Sequence, residues 1–176
     1  MNRPRLALIL GLIALTAVVR IAPHPFNFTP AAALALFAGA HLRDRRLAYS
    51  VPLIAAFLRD LVMGFHIMIP AVYACFAVTA WIGRRIRDRR TFRNVAVAAL
   101  ASSVLFFLVT NFAWWALGGA YPKNLAGLID CLVAGIPYFR NTLASDALYA
   151  AILFGGMALA ERRFEVLQEA SVRNEG

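Results

Sequence analysis

The sequence predicts an all-α fold: a polytopic membrane protein of six transmembrane helices with both termini on the same side. Three observations predict it. Of 176 residues, 61% are hydrophobic and only 15% charged, whereas soluble domains are about 45–50% apolar and about 25% charged. The apolar residues fall into six runs, most of them near the roughly 20 residues a bilayer span requires. The cations gather in short clusters between those runs, with a bias to alternate ends of the kind that orients membrane proteins. A soluble enzyme or binding domain does not fit this composition. A disordered chain fits it less, because disorder needs low hydrophobicity.

The chain reads as a single transmembrane domain, residues 1–176. The first span, residues 6–22, rests on the run Leu6 to Val19 and closes at Arg20 and the segment Pro23–Pro30. It reads as a span, not a cleaved signal peptide, because Arg20 follows the run directly and no small-x-small site precedes it. The second, residues 31–42, is short, rich in Ala and Leu, and stopped by Arg43-Asp44-Arg45-Arg46. The third, residues 47–65, is interrupted by Arg59 and Asp60. The fourth, residues 67–83, ends in the cluster Arg84 to Arg90. The fifth, residues 95–120, has no charge and is the strongest span. The sixth, residues 141–160, follows a loop, Tyr121–Arg140, with room for a short helix over Leu125–Ala134. A polar tail, residues 161–176, ends the chain.

Alternating the six spans puts fourteen cations and six acids on the side of the termini, and four cations and three acids on the other. That bias predicts cytoplasmic termini, N-in and C-in. It also explains the formal charge of +9 without nucleic acid. No basic face with interleaved aromatics is present.

With orientation set, the residues able to do chemistry collect in the outer half. Polar groups within a bilayer are costly and face protein or a water-filled cavity, so the pattern suggests an aromatic-rimmed polar cavity opening outward. Trp114, Trp115 and Tyr121 read as an interfacial belt. Asp60 lies about 8 Å below the outer end of its span, and its expected structural partner is Arg20 or Arg140, a pairing compatible with ligand binding. Asp146 is similarly placed, one turn before Tyr149. Asn111 reads as an interhelical hydrogen-bonding residue. Small residues four apart, at Ala7/Gly11, Ala31/Ala35/Gly39 and Ala147/Ala151/Gly155, permit close helix approach.

Two cysteines are too few for a disulfide scaffold. Cys75 lies near mid-depth of the fourth span and Cys131 in the outer loop. Each reads either as a small buried hydrophobe or as a soft metal ligand. On an ideal helix Tyr73 and Cys75 are about 200° apart, so both face one pocket only if the helix is distorted. The chain carries no phosphate loop, nucleophile elbow or zinc-binding spacing, and it does not read as an enzyme.

Several blocks resemble a family of short, uncharacterised bacterial inner-membrane proteins. They are Pro23-His24-Pro25-Phe26-Asn27-Phe28-Thr29-Pro30, Arg59-Asp60 with Gly64-Phe65-His66, Thr110-Asn111-Phe112, and Ile136-Pro137-Tyr138-Phe139-Arg140-Asn141-Thr142-Leu143. The resemblance covers roughly positions 5–160. That family is similar to the substrate-binding S components of energy-coupling-factor transporters, and within them to the solitary vitamin B12 transporters. The resemblance implies a six-helix bundle with a cobalamin pocket facing the periplasm and a cysteine ligating cobalt.

Carried over by position, Cys75 would be the cobalt ligand, and His24, Asp60 and Arg140 would line the pocket. Tyr73, Cys131 and Asp146 complete the candidate ligand-binding set. Cys131 is the cysteine more typical of the broad family, so both thiols stay open for the role. Arg59 stands where Ser is expected and Leu132 where Tyr is expected, which alters the pocket's charge. Cobalamin would be cargo, and the chain needs no cofactor of its own. It holds no nucleotide-binding motif, so an ATP-driven membrane partner, if one is used, hydrolyses ATP elsewhere. The alternatives are transport of another vitamin-sized ligand and a non-transporting membrane scaffold.

Overall fold

The computed structural model describes residues 3–19 and 28–167. Among them are six α-helices and no strand: α1 (Arg3–Val19), α2 (Ala31–His41), α3 (Arg45–Met63), α4 (Ile69–Arg85), α5 (Phe92–Leu117) and α6 (Leu125–Arg163). A short 3-10 turn, Glu165–Leu167, follows α6.

Side chains that offer the first free amides an acceptor set three of the helix starts. Asp44 accepts from Arg46 N at 2.7 Å ahead of α3, Thr91 from Asn94 N ahead of α5, and Asn124 from Gly127 N at 2.9 Å ahead of α6. Gly64, at φ 95°, ends α3 and returns its N–H to Asp60 O at 2.8 Å, a conformation that favours glycine.

Every residue of α2 is buried, and α2 packs against all five other helices. Its sequence, AAALALFAGAH, has no polar face, and a helix apolar all round belongs inside. The contact with α4 is the tightest in the molecule. A Cβ added to Gly39 would lie 2.0 Å from Ala80 O, and one added to Gly83 would lie 2.2 Å from Leu36 O. Gly39 thus permits the close approach its spacing suggested. Gly11 and Gly155 do not, having nothing within 4 Å of an added Cβ.

One element differs from the sequence reading. The loop expected over Tyr121–Arg140 is mostly helix, because α6 starts at the Asn124 cap and runs 39 residues through Pro137. Proline removes one backbone donor, and α6 continues regardless. At 1.5 Å per residue α6 is about 58 Å long. In contrast, α2 with 11 residues is about 16 Å long, half the roughly 30 Å hydrocarbon core. Two helices, α5 and α6, are long and apolar enough to cross a membrane. Their surfaces expose Val97, Leu108, Phe112, Ile129, Val133 and Ile152.

Arg5, 1% exposed, pairs through Nη2 with Glu161 Oε1 at 2.7 Å and donates from Nη1 to Leu167 O. This ties α1 to the end of α6. Glu161→Ala removes the carboxylate from a buried guanidinium and is expected to cost about 3 kcal/mol. The check is the thermal midpoint of the detergent-solubilised protein.

Candidate functional site

The polar residues converge where α2 and α4 begin and α3 and α5 end. Two adjoining cavities open there, sharing Val72, Phe106 and Thr142. The more polar one, about 210 Å³, is lined by Thr29, Arg59, Asp60, His66, Thr142 and Asp146 over an apolar floor that includes Phe76. The second, about 320 Å³, is lined by Asn111, Trp114, Tyr138 and Phe139 among others. Together they fall within the roughly 300–1,000 Å³ typical of small-molecule pockets. Phe76 and Phe106 stack with ring centroids 6.1 Å apart.

Asp60, 3% exposed, is held from two sides. Arg59 Nη1 donates to its Oδ1 at 3.0 Å and Tyr73 Oη to its Oδ2 at 2.9 Å. The partner is therefore the adjacent Arg59, not Arg140, while Arg20 lies outside the described residues. A buried carboxylate needs such donors, and these two fix its position in the wall. Tyr73 serves the cavity through Asp60 and does not line it.

Asp146, 2% exposed, belongs to α6. Its Oδ2 accepts from Ser103 Oγ of α5 at 2.7 Å, and the carboxylate faces the Ala33 backbone N–H in the first turn of α2. Pro30, at the start of α2, supplies no side-chain cap. Asp146 thus places a carboxyl group at a helix N-terminus, where the macrodipole favours its charged form. Beside it, Ser145 Oγ donates to Thr29 O at 3.1 Å, which fastens α6 to the segment leading into α2.

The remaining candidates fall elsewhere. Cys75 is buried at 2% exposure but does not line either cavity. The face of α4 that does so carries Met68, Val72 and Phe76, and Cys75 is turned about 100° from Phe76. Cys131 lies in α6, not in a loop, with Sγ donating to Asn111 O at 3.5 Å on the α5–α6 seam. Arg140 is exposed and lines neither cavity. His24 lies outside the described residues. The Asn111 side chain donates to Phe107 O of its own helix at 2.8 Å and packs against Gly135. Among the described residues, only its backbone carbonyl is hydrogen-bonded across the seam, accepting from Cys131.

Thr29, Ser103, Thr142 and Ser145 were not singled out from the sequence. Ser102 and Ser103 did carry a signal: an adjacent polar pair inside a long charge-free span. Away from the cavity, Trp115 Nε1 donates to Pro122 O at 2.8 Å, and Lys123 Nζ donates to Trp115 O and Gly118 O at the end of α5.

Fold and site define an all-helical protein with a polar cavity at one end of its bundle. The chain belongs to the DUF6580 family, a family of unknown function whose model matches residues 1–168. No curated protein and no solved structure matches it.

Proposed function

We propose that the chain is a polytopic protein of the bacterial inner membrane, with cytoplasmic termini, that binds a vitamin-sized solute in the outward cavity and carries it inward. The observation that carries this reading is the cavity holding Asp60 and Asp146, at the end of the bundle opposite the arginine clusters. Such intramembrane carboxylates are costly unless function or pairing retains them. The shortness of α2 is compatible with a membrane bundle, because its neighbours shield it entirely from lipid. Transport energy would come from a partner, since the chain holds no nucleotide-binding motif.

Cobalamin or a related corrinoid is the first ligand to test, because the sequence resemblance to the S components implies it. Thiolate ligation of cobalt would require α4 to turn Cys75 toward the cavity. A second reading, a smaller vitamin-sized ligand, is favoured by the cavity volumes and by the position of Cys75 off the lining. Titrating the purified protein with hydroxocobalamin separates them. The corrinoid reading expects an absorbance shift that Cys75→Ala abolishes. The smaller-ligand reading expects no shift, and a bound species that Cys75→Ser leaves in place.

A further inference from the structure

At the opposite end of the bundle α5 and α6 leave a groove of about 670 Å³ open to the side. Its floor is Val95, Ala99, Ser103 and Ala150, all buried. Its α6 wall is a run of small exposed residues, Ala147, Ala151, Gly155 and Ala158, and the groove ends at Arg90 and Arg162. Nothing lies within 4 Å of a Cβ added to Gly155, so among the described residues no element fills the space beside it.

Length and charge together identify the occupant. From Thr91 to Ser103 the groove follows about 18 Å of helix, close to the roughly 15 Å depth of one leaflet. Two guanidinium-bearing residues stand at one end, and the rest of the lining is overwhelmingly apolar. That is an apolar slot one leaflet deep with a cationic mouth. Basic pockets between transmembrane helices on the cytoplasmic side suit anionic headgroups. Arginine also matches phosphate geometry in a way that a point charge does not.

We propose that this groove is a binding site for an anionic phospholipid of the cytoplasmic leaflet, with an acyl chain between α5 and α6 and the phosphate at Arg90 and Arg162. The site rests on the membrane reading above but not on any solute. It is also distinct from the outward cavity, although Asp146 borders both.

The test uses the full chain extracted in a mild detergent, delipidated, and offered phosphatidylglycerol or phosphatidylcholine, with bound lipid counted by native mass spectrometry. Phosphatidylglycerol is expected to remain bound and phosphatidylcholine to be lost. Arg162→Glu should weaken retention about tenfold, and Ala151→Trp, which fills the slot, should abolish it while the monomer stays folded by circular dichroism. Equal retention of both lipids, or retention unchanged in both variants, overturns the site. A mass corresponding to a dimer, with the groove closed by a second copy, overturns it as well. Release of the protein from membranes by alkaline carbonate overturns the membrane reading too, whereas a detergent-requiring protein without bound lipid overturns the lipid site alone.

Discussion

Gly83→Leu is expected to cost about 3 kcal/mol of stability, the upper part of the range for overpacking, and to be among the most damaging single substitutions in the chain. A Cβ at position 83 meets Leu36 O at 2.2 Å. The obstacle is backbone, so no rotamer change relieves it and the α2–α4 contact must open. Because α2 touches every other helix, that displacement passes to the elements lining the cavity. Gly39→Ala meets Ala80 O in the same way and should act in the same direction. Gly11→Ala is the control, since its Cβ meets nothing within 4 Å. It should leave stability unchanged or raise it by up to about 1 kcal/mol. Thermal unfolding of the three variants in one detergent checks the ordering.

Asp60→Ala carries the second large effect. It removes the acceptor of both Arg59 and Tyr73 at a nearly buried position. Hydrogen bonds to a charged group contribute about 1.5–3 kcal/mol each, but Arg59 is partly solvated and can rehydrate. A loss of about 3 kcal/mol is therefore expected, most of it from the Tyr73 side. Tyr73→Phe should cost less by itself and add little on top of Asp60→Ala. A double-mutant cycle on unfolding free energies measures that coupling. A full additive sum would mean that the bond contributes nothing.

Much of the fold was legible because the chain alternates long apolar runs with arginine clusters, and the helix ends follow those clusters closely at Arg43–Arg46 and Arg84–Arg90. The reading failed where polarity was mistaken for a break. Asp130, Pro137, Arg140 and Asn141 made the first half of α6 look like a loop, whereas the Asn124 cap and the α5–α6 seam sustain the helix. The acids of the site were visible as charges inside apolar spans. Their partners were not. Asp60 takes a neighbour in sequence, and side chains one apart on a helix do not ordinarily face each other. Asp146 takes Ser103 from 43 positions away, a pairing that periodicity does not encode. Chemical reactivity drew attention to Cys75 and Cys131, and packing leaves both off the cavity lining.

Occupancy of the polar cavity by a small solute is what the proposed function requires. It is tested most directly by mass spectrometry of the small molecules released when the protein, purified from native membranes, is denatured. The comparison is wild type against Thr142→Trp, which places an indole where the two cavities meet. The account predicts one vitamin-sized species near one equivalent in the wild type and its loss from the variant. No enriched species in the wild type, or equal amounts in both proteins, would contradict it.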